Sequence, residues 1–146
     1  MAARVAPALF PLDPDIRYVA VNQAGAITEM EQRAEWPSLN PPETDRMEEL
    51  LVNPLLLDAA KRRGDLDLDG VRHVIVRYGV QYQVILPYRQ GHVSVGVQPG
   101  ADVARITERV AAALAALEPA VRSSGPADRA GSIERALRMA LPGGFR

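Results

Sequence analysis

The chain contains no cysteine, which excludes disulfides and thiolate chemistry and fits a reducing cytoplasm. Histidine is nearly absent too. His73 and His92 are the only two, and neither has a second histidine within ligand spacing, so a structural zinc site is not expected. There is no excess of either charge, 17 basic residues standing against 18 acidic ones, where a nucleic-acid or anionic-membrane binder usually shows a basic surplus. Neutral partners, proteins or small ligands, are favoured. No run of about 18 apolar residues marks a membrane span. Pro7, Pro11 and Pro14 interrupt the weakly apolar opening, which lacks a charged, apolar, small-residue leader pattern, and a cytoplasmic location is expected. One lysine, Lys61, accompanies sixteen arginines, a bias that goes with a GC-rich bacterial genome. Internal repeats and low-complexity tracts are missing as well.

What is there centres on Val71 to Gln98, VRHVIVRYGVQYQVILPYRQGHVSVGVQ. Val71 to Tyr78, Gln81 to Leu86 and His92 to Val97 are rich in β-branched and aromatic residues and read as strands. Gly79-Val80 and Gln90-Gly91 stand between them at hairpin spacing. A two-residue turn fixes register, and register fixes which side chains share a face. With Gly79 opening a type II′ turn, Tyr78 lies opposite Gln81, Ile75 opposite Val84 and His73 opposite Leu86. The turn at Gln90-Gly91 sets Leu86 against Val95 and Val84 against Val97. One face then collects Ile75, Val84, Leu86, Tyr88, Val93, Val95 and Val97, and is a core. The other carries Arg72, Val74, Val76, Gln81, Gln83, Ile85, Ser94, Gly96 and Gln98, an apolar strip among polar neighbours that calls for a helix or a partner across it.

The 146 residues make one domain's worth of chain, enough to bury roughly two thirds of the unfolded surface. Residues 1–14 form an N-terminal extension too broken by proline for a helix, 15–119 the domain proper, and 120–146 a linker with a short helix over Ser132 to Leu141. Ile16 to Asn22 and Ala26 to Met30 form a hairpin whose Gly25 supplies a turn position open to positive φ. Glu31 to Thr44 is a loop, with Trp36 folded back over the domain edge. Thr44 or Asp45 caps a helix bearing Met47, Leu50 and Leu51 on one stripe, with Glu48 and Glu49 off it. Asn53-Pro54 interrupts that helix and caps its continuation to Arg63, which Gly64 ends. Asp102 caps a last helix to about Glu118, with Val103, Ile106, Val110, Leu114 and Leu117 as its apolar stripe.

Residues with reactive chemistry are sparse. Asp65, Asp67, Asp69 and Gly70 match the first half of a calcium loop, but position twelve is Val76, which cannot supply the bidentate carboxylate; a solvated helix-to-strand loop is the expected structure. No serine stands in a Gly-x-Ser-x-Gly setting, no glycine-rich phosphate loop occurs, and Glu48 and Glu49 point to different helix faces. His92, beside a turn, reads as a surface histidine. No nucleophile or base has an orienting partner, so no enzymatic activity is expected.

The element order β-β-α-β-β-β-α, the apolar-Gly-Tyr pattern at Tyr78 to Tyr82, the Pro87 and Gly91 turn and the acidic helix start at Asp102 together resemble the roadblock domain of the dynein light chain family and its bacterial relatives. The hairpin IRYVAVNQAGAI also looks like that family's opening strand-turn-strand, and the resemblance covers about Ile16 to Glu118. It implies an α/β (α+β) fold with a five-stranded antiparallel sheet in the order 2-1-5-4-3, flanked by helices. It further implies a homodimer with no cofactor, acting as a binding platform, often for a small Ras-like GTPase. The family usually has a full helix before its first strand, where this chain has only Met1 to Pro14. Ser132 to Leu141 is expected to fold back into that vacancy. The dimer is expected to form through Val71 to Tyr78 and the helix from Asp45 to Arg63, with Met47, Leu50, Leu51, Arg72, Val74, Val76 and Arg77 at the interface and Val76 giving its N–H to the new strand pair. The alternative is a small-ligand sensory domain of PAS-like or profilin-like fold. It is disfavoured because the expected core face has hardly any polar side chain beyond His73.

Overall fold

A computed structural model gives the structure of residues 3–36 and 41–118. A short helix α1 (Ala6–Leu9), continued by a 3-10 turn (Phe10–Leu12), precedes strands β1 (Ile16–Gln23) and β2 (Ala26–Gln32). Helix α2 (Pro42–Met47), a π-helical turn (Glu48–Val52) and helix α3 (Asn53–Asp67) follow without a break. Strands β3 (Val74–Arg77), β4 (Tyr82–Tyr88) and β5 (Gly91–Val97) lead to the last helix, α4 (Val103–Leu117). The strands form one antiparallel sheet in the order β2-β1-β5-β4-β3, as expected.

Ile75 pairs with Val84 as the first hairpin requires, and the Tyr78 N–H donates to the Gln81 carbonyl across 2.9 Å. Gly79 is not at positive φ, however, so that turn is not type II′. The second hairpin turns one residue earlier than expected, which slips the register by two. Tyr88 pairs with Gly91 around Arg89 and Gln90, Arg89 taking φ 49°, so Val84 meets Val95 and Leu86 meets Val93. Because side chains alternate with period two, this slip of two residues changes every partner and leaves every face unchanged. The Ala24-Gly25 turn has both residues in the left-handed region, at φ 52° and 81°, the backbone of a type I′ hairpin.

The first face buries Val84, Leu86, Tyr88, Val93, Val95 and Val97 with Ile106, Val110 and Leu114 of α4. The Asp102 carboxylate caps α4 by accepting from the Arg105 N–H at 3.1 Å. Ile75 is not part of this core and stands exposed at the sheet edge. The proline-rich front, contrary to expectation, does form a helix, because Pro7 falls in its first turn, where no backbone donor is needed. Val5, Ala6 and Leu9 are fully buried beside α4, and burying a leucine of this kind contributes about 2 kcal/mol. Glu29 of β2 holds the helix start by accepting from the Val5 and Ala6 N–H groups at 2.9 and 3.1 Å. Arg33 ties the segment's end, donating to the carbonyls of Asp13 and Ile16 at 2.8 and 2.7 Å. The expected fold-back of Ser132 to Leu141 lies outside the described residues.

The other face is crossed by the helical run 42–67. Asn53 does not cap a new helix; it is itself helical and buried. The π turn explains how the run passes Pro54. The Asn53 N–H bonds to the Glu48 carbonyl, five residues back, so the bonding pattern has already shifted before the proline that lacks a donor. Nor does Gly64 end the helix, which runs on to Asp67. Its carbonyl accepts from the N–H groups of Leu68 and Gly70 at 3.0 and 3.1 Å as the chain turns back. A Cβ at residue 64 would lie 2.6 Å from the Gly70 oxygen, so the close return requires glycine there.

Candidate functional site

Helix 42–67 meets the sheet through Glu49, Asn53 and Leu57, all buried. This inverts the expected stripe, because Glu49 was expected on the outer side. Its carboxylate, 1 % exposed, is the centre of a polar network. His92 Nε2 on β5 lies 2.8 Å from Oε2. Around Oε1 converge the Ser94 hydroxyl, the Tyr18 hydroxyl at 3.3 Å, Asn53 Nδ2 at 3.2 Å and Gln83 Nε2 at 3.5 Å. Asn22 Nδ2 donates to the Glu49 carbonyl at 3.1 Å. Burial first, and then the charge of Glu49, hold the Tyr18 phenol protonated far above its ordinary range. His92 is therefore a core histidine, 2 % exposed, and not a surface one. The alternation of β4 and β5 does place Gln83, Ser94 and His92 on one face; nothing local says that a glutamate 43 positions away closes over them.

Serine, histidine and glutamate together invite comparison with a serine–histidine–carboxylate triad, and their order of contact differs from it. The Ser94 hydroxyl donates to the Glu49 carboxylate and not to His92, so the three groups meet at the carboxylate and do not form a serine-to-histidine relay. The adjoining polar cavity, lined by Arg17, Tyr18, Glu48 and Gln83 among others, holds about 20 Å³, room for a water molecule. The network pins the helix to the sheet in one register.

With Glu49 and Asn53 turned inward, the leucines are turned out. Met47 is 52 % exposed, Leu51 60 % and Leu55 65 %, and Leu50 is exposed as well. Sequence reasoning named Met47, Leu50 and Leu51 for an interface; Leu55 stands exposed one turn further along the same stripe. They do not seal Val74, Val76 and Ile85, as expected of them; that strip is covered by the inward side of the same helix. Val74 and Val76 are half-buried on β3, an edge strand. Because Tyr78 bonds to β4, the alternation of antiparallel pairs turns the N–H of Val76 toward β4 as well, and those of Ile75 and Arg77 toward the edge. The expectation that Val76 donates at the edge is thus corrected to Ile75. Arg72 is exposed and pairs with Asp69 at 3.3 Å. Arg77 lies 5.1 Å over the Tyr82 ring.

Where the helix passes the β3–β4 turn, Thr44, Met47, Glu48, Val52, Tyr78 and Val80 line an open groove of about 300 Å³. Burial, reinforced by Glu49 and Asp45, pushes the Glu48 carboxyl up to about 7, while a hydrogen bond with Tyr78 pulls the other way. Among the described residues Glu48 Oε1 is buried with no hydrogen-bond partner. Trp36 lies 5.7 Å from the Arg17 guanidinium, against its own domain.

A scan of family models finds no match, and no curated protein matches the chain. Solved structures do. The gliding protein MglB from Thermus thermophilus superposes with a TM-score of 0.57 at 14 % identity, covering 77 % of this chain and 87 % of its own. MglB in a tetrameric arrangement gives 0.53 at 13 % identity, covering 79 % of this chain and 90 % of its own. With the sheet order and the helix placement, this likeness establishes that the chain has a roadblock-like fold.

Proposed function

We propose that this protein is a non-catalytic interaction module, a homodimer that regulates or scaffolds a small Ras-like GTPase in a bacterial cytoplasm. The observation that carries the reading is an outward apolar stripe, Met47, Leu50, Leu51 and Leu55, beside the edge strand β3, which among the described residues pairs on one side only. An open edge beside exposed leucines is a liability in a monomer. Two-fold pairing of β3 with its own copy joins the sheets and brings the two helices together on one side. Val74, Val76, Arg72 and Arg77 then stand at the junction. The roadblock-like fold shared with MglB, together with the roadblock resemblance of the sequence, which implies a platform often for a small Ras-like GTPase, supports a GTPase as the further partner. The sensory-domain reading finds less support, since the polar space beside the Glu49 network is no larger than a water site and the larger groove beside Met47, Val52 and Tyr78 is open to solvent.

Light scattering behind size exclusion tests the dimer, which should report twice the chain mass. Ile75→Pro, which removes a donor from the free edge, should reduce it toward one. Titration with small Ras-like GTPases of the same genome, loaded with GDP or a non-hydrolysable GTP analogue, tests the partner. Saturable binding that distinguishes the two nucleotides is expected. A monomer at high micromolar concentration, or no GTPase bound in either state, overturns the corresponding half of the reading.

A further inference from the structure

We infer that in a two-fold dimer joined along β3, Arg72 of each copy reaches the Glu48 carboxylate of the other, so that assembly releases protons. The inference deepens the dimer reading above and rests on it. Its geometry comes from the backbone. Paired residues in an antiparallel ladder share a face, so a two-fold axis through β3 must pass through a residue opposite its own copy. Within β3 the outward N–H and C=O groups belong to residues 75 and 77, and pairing with a copy extends the strand to residue 73. Centring the axis on Ile75 uses all three, pairing Ile75 with its copy and Arg77 with His73. The same register sets Val74 against Val76 and Arg72 against Tyr78.

Tyr78 is the residue whose side chain hydrogen-bonds with Glu48. Directly opposed residues stand about 5 Å apart at Cβ, within easy reach for an arginine. Arg72 is free to make the move, because its present partner Asp69 is an exposed contact of the kind that contributes little. Glu48 in turn has what an arginine needs. One of its oxygens is buried and accepts nothing, and Met47, Val52 and Val80 offer apolar walls for the arginine stem. The charged and titratable groups around Glu48 are Asp45 and Glu49 on its own helix, Arg17 and Tyr18 from β1 and Tyr78 from the β3–β4 turn, with His92 of β5 behind Glu49. Burial first, and then those two carboxylates, outweigh the Tyr78 hydrogen bond and hold the Glu48 carboxyl at about 7 in the single copy. An incoming guanidinium reverses that balance, and the proton leaves.

The test is the dimer dissociation constant measured from about pH 6 to about pH 8 by fluorescence dilution or sedimentation. With one proton released per copy, the dimer should be roughly a hundredfold tighter at the upper end than at the lower, levelling off above about 7. Glu48→Gln and Arg72→Gln should each flatten the profile. His73→Asn should leave it intact, which separates Glu48 from the histidine that the same register places against Arg77. A dimer whose affinity ignores pH, or a Glu48→Gln dimer that keeps the dependence, overturns the inference while leaving the dimer standing. A chain monomeric at every pH removes the dimer reading, and the pair with it.

Discussion

Glu49 and His92, 43 positions apart in the chain, meet at 2.8 Å with both side chains out of water. This contact fastens helix 42–67 to the middle of the sheet and decides which side of the helix faces outward. Truncating the acceptor on which a buried hydrogen-bonded network converges strands its donors, at about 1–3 kcal/mol for each group left unsatisfied. Glu49→Ala should therefore lower the urea midpoint by an amount equivalent to several kcal/mol. A loss below about 1 kcal/mol would show that the network contributes little beyond filling space.

The leucine stripe makes the opposite prediction. Leu51 is 60 % exposed, so Leu51→Asp should change the stability of the single copy by less than about 0.5 kcal/mol. It should nevertheless abolish self-association in sedimentation runs. Unfolding of the variant, or an unchanged dimer, would place the interface elsewhere.

Ala24 occupies the first position of a type I′ turn at φ 52°, a conformation that asparagine tolerates far better than alanine. Ala24→Asn should stabilise by about 0.5–1 kcal/mol, raising the melting temperature by roughly 2 °C. A lower melting temperature would contradict the assigned turn.

Gly91 opens β5 where β1 crosses closely. A Cβ there would lie 1.9 Å from the Asn22 carbonyl oxygen, and backbone on both sides leaves no flexible group to yield. Gly91→Ala should cost about 2–4 kcal/mol, read as a shift in denaturant midpoint without a change in slope. Wild-type stability would mean that the two strands do not approach this closely.

Glu48 gives the single copy a pH signature. Its folded pKa, about 7, lies above the ordinary 4.5, so the folded state binds its proton more tightly than the unfolded state does. The contribution to stability is then greatest below about 4.5, declines as pH rises to about 7, and is level beyond. Since the group is only half-buried, the decline should be on the order of 1 kcal/mol once solvent screening is allowed for. Urea titrations at concentrations where the single copy dominates should show it in the wild type and not in Glu48→Gln.

The local sequence was enough for the sheet and for the first core. Period-two alternation assigned Val84, Leu86, Val93, Val95 and Val97 to one face, and that assignment survived a two-residue slip of register at the second turn because parity is what fixes a face. The Asp102 cap and the apolar stripe of α4 were equally local, as was the hairpin glycine. Helix 42–67 was different. Its apolar periodicity pointed Met47, Leu50 and Leu51 at the sheet, whereas a glutamate and an asparagine face inward. Burying Glu49 is unfavourable unless donors surround it, and those donors come from β1, β4, β5 and the helix itself, which only the folded chain brings together. The direction of that helix, and with it the identity of the outer surface, was therefore decided by tertiary structure.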